Sequence, residues 1–318
     1  MSYITKKNRS KIICNATSKM NFNIILKNKT FLKIVYLIRS ILYIPLRAFL
    51  LLGNLYSRVL KIIDRRNSDV FWLEIMQESI DANISKKIKI SSDKEIKFYY
   101  PSNTAGLRVK TFFTKEPETI EWMNEYGSEK KILYDIGANM GIYTVYYAKK
   151  FKSKVYAFEP YFRNLELLVK NIKLNLIEKE VSLIPNPVCE KSLISDFFQL
   201  RSIAGDAVST FNDELTKSIL LRNKYAKNDP MQYSVLGLSI DDLVELNLIK
   251  LPDLIKIDVD GNELEIINGF KKTIQKLEKI SMLIETKTTT SKKNLEEELE
   301  NCGLKKIKQI RANSIWEK

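Results

Sequence analysis

From residue 131 onward, short apolar runs alternate with longer stretches in which apolar residues recur at helical spacing. The runs 132–136, 154–159, 181–184, 254–259 and 280–285 predict strands. The stretches 142–150, 163–176, 263–276 and 295–302 predict helices. In the helix over 163–176, Leu165, Leu168, Val169 and Ile172 fall on one face, and Gly303 is placed to end the last helix. Residues 305–317 predict a closing hairpin. Strands alternating with helices argue for an open, mostly parallel α/β sheet with helices on both faces. Upstream, 86–90 and 94–100 predict a β-hairpin around Ser91-Ser92-Asp93, and 119–126 a helix that starts after Pro117. Residues 201–233 form the longest insertion between core elements, and 223–232 reads as charged and irregular.

Residues 31–63 carry a different pattern. Lys33, Ser40, Arg47, Asn54 and Lys61 recur every seven residues within an otherwise apolar stretch, which on a helix makes one narrow polar stripe. Pro45 predicts a kink or a division into two helices. The longest uncharged run, 48–57, has ten residues, short of the roughly 20 a membrane-spanning helix needs. A signal peptide would start closer to the N-terminus and end in small residues. Two readings stay open: contact with an anionic membrane surface, or a helical hairpin packed on the catalytic domain or a second subunit. The basic residues alternate with aliphatics instead of forming a stripe with stacking aromatics, which argues against nucleic acid. Residues 1–25 are polar and basic, and the pattern predicts a mobile start. The expected organisation is a basic helical extension over 1–70, a hairpin and helix over 71–130, and a catalytic domain over 131–318.

Composition sharpens this picture. A chain of 318 residues with 45% hydrophobic residues can bury one large core and carry an appendage. The formal charge of +14 is uneven: residues 1–70 hold 14 Lys and Arg against only Asp64 and Asp69, while the other 248 residues hold 38 against 36. The basic character belongs to the extension. Cys14, Cys189 and Cys302 lie far apart, so neither a disulfide framework nor a zinc site is expected, and a reducing, cytoplasmic setting fits. Histidine is absent. That excludes Ser-His-Asp and Cys-His nucleophile systems and histidine metal sites, and leaves Asp, Glu, Lys, Tyr or Cys as general base.

The chemistry concentrates at residues 134–144, Tyr-Asp-Ile-Gly-Ala-Asn-Met-Gly-Ile-Tyr-Thr, followed by Phe158-Glu159-Pro160. Asp135 ends a strand, Gly137 and Gly141 bracket a turn, and Glu159 ends the next strand, where a carboxylate can accept hydrogen bonds from both hydroxyls of a ribose. A dinucleotide site would show G-x-G-x-x-G. Here the spacing is G-x-x-x-G with an acid two residues before it, which would repel a pyrophosphate and suits a ligand bearing an ammonium and a sulfonium. Charge thus favours S-adenosylmethionine over NAD.

Over roughly residues 105–290 the chain resembles the FkbM family of S-adenosylmethionine-dependent methyltransferases. The resemblance rests on Lys115-Glu116-Pro117-Glu118-Thr119 with Trp122, on Asp135-Ile136-Gly137-Ala138-Asn139-Met140-Gly141, and on Phe158-Glu159-Pro160. Asn164 and Asn171 follow, then Ser239-Ile240-Asp241-Asp242-Leu243 and Ile255-Lys256-Ile257-Asp258-Val259-Asp260-Gly261-Asn262-Glu263 with Gly269. The family usually has Glu where this chain has Asp260, which keeps the charge and shortens its reach. The resemblance implies a Rossmann-like class I methyltransferase fold. It also implies O-methylation of a sugar, glycan or related small-molecule acceptor, with cofactor contacts from Asp135, Gly137, Ala138, Asn139, Gly141, Thr144, Glu159, Pro160 and Asn164.

Methyl transfer needs alignment and a place for the acceptor's proton. Asp258 and Asp260 are two apart at a strand end and start on the same face of the sheet, with Glu263 in the first turn of the next helix. Asp258 and Asp260 are the expected donor- and acceptor-facing carboxylates, one of them the base, with Glu263 supporting them or binding substrate. A purely capping role for Asp260 and Glu263 is the competing explanation. No metal is expected, although D-x-D could hold Mg²⁺. The insertion at 201–233 predicts an acceptor-recognition lid, with Asp206, Ser209 and Thr210 as candidates. The competing functions are an NAD-linked oxidoreductase and a membrane-attached, non-catalytic binding protein.

Overall fold

The computed structural model describes residues 44–63, 71–221, 230–286 and 289–318. The expectations for residues 1–43, for Lys33 and Ser40 of the polar stripe, and for 222–229 of the insertion lie outside the described residues. The chain falls into two units divided between Ile80 and Asp81. The first holds helix α1 (Ile44–Ile63) and most of α2 (Phe71–Asn83). Pro45 is the second described residue of α1, and the residues before Ile44 that bear on the expected kink lie outside the described ones. Ile44, Phe49, Leu51, Leu52, Leu55 and Val59 of α1 are exposed. No helix among the described residues is long and apolar enough to cross a membrane.

The second unit opens with an antiparallel hairpin, β1 (Ser85–Lys89) and β2 (Glu95–Tyr99), then α3 (Asn103–Lys110) and α4 (Pro117–Tyr126). Pro117 occupies the first turn of α4. The alternating core follows: β3 (Leu133–Ile136), α5 (Ile142–Phe151), β4 (Val155–Phe158), α6 (Phe162–Asn175) and β5 (Val181–Ile184). An insertion carries β6 (Leu193–Gln199), β7 (Ser209–Phe211), α7 (Glu214–Leu221) and β8 (Met231–Gly237). The chain returns through α8 (Ile240–Glu245), β9 (Leu254–Ile257), α9 (Glu263–Asn268), α10 (Lys271–Lys276) and β10 (Ser281–Glu285). It closes with α11 (Thr289–Asn301), β11 (Lys305–Ile310) and β12 (Asn313–Glu317).

The main sheet has seven strands in the order β11-β12-β10-β9-β3-β4-β5. The four inner pairings from β10 to β5 are parallel, and β12 runs antiparallel to both neighbours. Both faces are buried. Leu133, Ala157 and Leu283 face a core built with α4, α5 and α6, while Tyr134, Ile136, Ile255, Ile257 and Trp316 face the other. Near-continuous apolar strands are what a doubly covered parallel sheet requires.

Three details differ from the sequence pattern. The stretch 263–276 is two short helices, because the chain breaks at Gly269-Phe270. A Cβ on Gly269 would lie 2.1 Å from the carbonyl oxygen of Cys189, and Ser239 and Asp241 donate hydrogen bonds to the Gly269 carbonyl. The buried face of α6 is Asn164, Leu167, Leu168, Asn171, Ile172 and Asn175, whereas Val169 is 52% exposed. The asparagines belong inside because they serve backbone groups. Asn171 accepts from the Tyr99 amide at 2.7 Å, and Asn175 accepts from the Lys97 amide at 2.8 Å. Both therefore pair with the open edge of β2. Finally, the insertion is not irregular throughout: β7-β6-β8 form a second, antiparallel sheet, and 231–237 is a strand with alternating burial.

Candidate functional site

Strand order reverses between β3 and β9, and open α/β sheets bind ligands outside the carboxyl ends of the strands at that reversal. A cleft lies there. Its walls come from the segments after β3 (Gly137, Asn139), β4 (Glu159, Pro160, Asn164), β5 (Asn186, Pro187, Val188) and β9 (Asp258, Val259, Asp260). The insertion adds Phe197, Asp206, Ala207, Ser209, Thr210 and Phe211.

The turn after β3 needs its glycines. Gly137 has φ +81°, and a Cβ there would lie 2.1 Å from the Asp258 carbonyl oxygen, so the turns after β3 and β9 touch backbone to backbone. Gly141 has φ +84°, and its Cβ would meet Leu168 at 2.3 Å. The amides of Gly137 and Ala138 both donate to the Phe158 carbonyl at 3.0 Å, strapping the turn to the end of β4. Asn139 takes φ +52°, a conformation asparagine tolerates.

Glu159 joins the two turns. Its carboxylate accepts from the Asn139 amide at 2.7 Å and the Tyr161 amide at 2.9 Å. Burial raises its pKa from 4.5 to about 7, against the opposing pull of those amides and Asn164. A carboxylate offers about four acceptor positions, so two backbone bonds leave capacity for ribose hydroxyls. Asn164 reaches across the cleft to the insertion: its amide donates to the Asp206 carbonyl at 3.1 Å, and its oxygen accepts from Gly205 at 2.8 Å.

Of the expected cofactor residues, Gly137, Asn139, Glu159, Pro160 and Asn164 line the cleft, and Asp135, Ala138, Gly141 and Thr144 stand behind it. Asp135 is 1% exposed. It accepts from the Thr144 hydroxyl at 2.6 Å and faces the Lys256 ammonium at 3.9 Å. Lys256, fully buried at the centre of the sheet, donates to Asp258 at 3.1 Å and lies 5.0 Å from the Tyr143 ring centre. Burial opposes its charge, but Asp258, Asp135 and Glu116 outweigh that and hold the ammonium above its ordinary range.

Of the three expected catalytic carboxylates, Asp258 and Asp260 line the cleft and Glu263 does not. Asp260 accepts from the amides of Val208 at 2.5 Å and Ser209 at 3.4 Å. Val208 has φ +76°, a strained conformation for a β-branched residue, so Asp260 fastens a strained turn of the insertion over the cleft. Asn262 adds two bonds to Phe211. Glu263 is buried in the first turn of α9 and accepts from the Gly261 amide at 3.3 Å. Asp206 is bound by Arg201, and Thr210 donates to Asn262 at 3.2 Å.

The sequence pattern left Asn186, Pro187, Val188, Phe197 and Phe211 unmarked. The alternation of 231–237 was the available signal that the insertion contains a sheet, and Asn186-Pro187 follows β5 as Glu159-Pro160 follows β4. Among the described residues, every charged one lining the cleft is an acid: Glu159, Asp206, Asp258 and Asp260. No group of three or more acidic or cysteine side chains among the described residues is arranged to hold a metal ion.

Residues 135–306, more than half of the chain, match the methyltransferase FkbM domain. A hexuronic acid methyltransferase, AglP, of Haloferax volcanii is 24% identical over 160 residues, covering 50% of this chain and 58% of that protein. A methyltransferase FkbM from Methylobacillus flagellatus KT superposes with a TM-score of 0.39 at 12% identity over 82% of this chain and 61% of that one. TYW2 of M. jannaschii, solved with AdoMet, gives 0.33 at 14% identity over 74% and 84%. Scores this low add no weight, and the strand order itself gives the Rossmann-like architecture. The chain belongs to the FkbM family of methyltransferases.

Proposed function

We propose that the cleft binds S-adenosylmethionine and that the enzyme methylates a hydroxyl of a sugar or glycan. The observation that carries the cofactor assignment is the cleft's charge: among the described residues, four acidic residues and no basic one line it. Such a wall favours a sulfonium and opposes the pyrophosphate of NAD. Glu159 stands at the end of β4, ready for ribose hydroxyls, as the fold's nucleotide geometry requires. The sugar class draws support from the hexuronic acid methyltransferase relative. The acidic walls favour a reacting end that is a neutral hydroxyl, with any anionic group of the acceptor directed outward.

S-adenosylmethionine held there would supply an electrophilic methyl to the acceptor oxygen, its carbon–sulfur bond breaking to release S-adenosylhomocysteine. Asp258 lies at the cleft floor and receives the hydroxyl proton. Asp260 holds the Val208–Ser209 turn, and through it the insertion, against the acceptor side. Glu263 stabilises the start of α9. The same reading takes the extension to contact an anionic membrane surface from the cytoplasmic side. Residues 1–63 contain no Asp or Glu, and α1 exposes a row of aliphatic side chains.

The test is incubation with S-adenosylmethionine and a panel of neutral-hexose and hexuronate oligosaccharides, read by mass spectrometry. The expected product gains one methyl, located by fragmentation on a sugar oxygen. Methyl gain on a nitrogen, or on protein or RNA substrates but no sugar, would overturn the acceptor assignment.

A further inference from the structure

Lys256 sits at a position built for an aliphatic residue. It lies mid-strand in β9 between Ile255 and Ile257, with Leu283 of β10 as its register partner on one side and Asp135 of β3 on the other. The same sheet face carries Leu133 and Leu283 in the core. Its side chain is 2% exposed. Placing an ammonium there carries a desolvation penalty that buried ion pairs often fail to recover, and apolar replacements of such pairs are frequently neutral or stabilising. Stability therefore does not explain the lysine.

Its surroundings suggest another use. The ammonium has carboxylates on two sides: Asp135, 3.9 Å away and behind the glycine turn, and Asp258, 3.1 Å away and on the cleft floor. The Tyr143 ring covers it at 5.0 Å, and the Tyr143 hydroxyl is fixed by a 2.8 Å bond to Glu116. Asp135 is itself held by Thr144 at 2.6 Å. The chain of contacts runs from the interior of the sheet to one cleft carboxylate, and every partner of the ammonium sits on a different element. A donor fixed this way confines the carboxylate it bonds.

We infer that Lys256 is a positioning residue for methyl transfer, holding the Asp258 carboxylate in place at the cleft floor with Asp135 as the opposing anchor. The inference rests on the assignment of Asp258 to the reacting centre. Lys256 acts only through Asp258, which separates it from a residue that merely stabilises the sheet.

A double-mutant cycle tests this. Lys256→Met, Asp258→Asn and the double variant are compared by thermal unfolding, by calorimetric titration with S-adenosylmethionine across pH 6–9, and by turnover on the oligosaccharide that wild type methylates. The double variant removes one charge of each sign, so it controls for an uncompensated buried carboxylate if Lys256→Met folds poorly. Misplacing a reacting group by about an ångström costs on the order of 100-fold in rate. Each single variant is expected to lower kcat by that order with little change in the cofactor Kd. The double variant is expected to be no slower than Asp258→Asn alone. The acid limb of the kcat profile should move upward in Lys256→Met, since the neighbouring ammonium is gone. Multiplying losses in the double variant, or recovery of kcat to within about twofold of wild type in it, would overturn the inference. Wild-type protein that binds no S-adenosylmethionine would instead refute the underlying functional assignment, before any variant is compared.

Discussion

The pH behaviour of Glu159 gives a quantitative prediction. In the folded protein burial raises this carboxyl from 4.5 to about 7. At about 1.4 kcal/mol per unit, the rise corresponds to roughly 3.5 kcal/mol as an upper bound. The folded state holds this proton more tightly than the unfolded chain does. Glu159 therefore contributes stability that is fully present below pH 4.5 and is lost as pH rises through about 7. A ligand whose hydroxyls donate to the carboxylate reverses the preference, because it needs the ionised form. S-adenosylmethionine affinity should rise with pH up to about 7 and then level off, with a slope below that point of at most about tenfold per unit. Glu159→Gln removes the ionisation. It also turns an amide N–H toward the backbone N–H of Asn139 or Tyr161, leaving one donor unpaired at a cost of about 1–3 kcal/mol. The variant should bind the cofactor more weakly at pH 8 and show a flat profile between pH 5.5 and 8.5. Calorimetric titrations of both proteins across that range provide the measurement. Equal slopes in wild type and variant, or a wild-type affinity that strengthens as pH falls, would refute the reasoning.

Two further substitutions probe the scaffold. Gly137→Ala would push a Cβ to 2.1 Å from the Asp258 carbonyl oxygen at φ +81°. The left-handed conformation alone costs about 1–2 kcal/mol, so a loss of more than that by denaturant unfolding, with cofactor affinity down about tenfold or more, is expected. Binding within about twofold of wild type would show that the two turns need not touch. Asn171→Leu strands the Tyr99 amide and the Met140 carbonyl, bonded now at 2.7 and 2.8 Å. At about 1–3 kcal/mol for each buried group left unpaired, the variant should lose roughly 2–6 kcal/mol, and a loss below about 1 kcal/mol would contradict the edge-pairing role.

The sequence pattern shows the parallel core well because its strands are buried on both faces and its helices are bounded by turn residues. Gly137, Gly141 and Glu159 stand out for the same reason: each meets a backbone or electrostatic requirement that few other residues satisfy. The α6 face is harder to read, because Asn164, Asn171 and Asn175 point inward to serve backbone groups of the insertion and of β2, partners distant in sequence. Asp135 and Lys256 illustrate the same limit. Each is a charged residue in a strand, and only the parallel register of β3 with β9 brings them together. The second sheet escapes a composition-based reading because its strands carry polar residues on their exposed side, as in Met231–Gly237. Asp260 reads as half of an acidic pair by spacing alone, yet its bonds go to Val208 and Ser209 in the insertion.

Calorimetric titration of the full chain with S-adenosylmethionine and, separately, with NAD examines the acidic cleft itself. Saturable one-to-one binding of S-adenosylmethionine, weakened in Glu159→Gln and with no heat from NAD, is the expected result. Binding of NAD in preference, or of neither ligand, would contradict the reading of this cleft as the site of a cationic methyl donor.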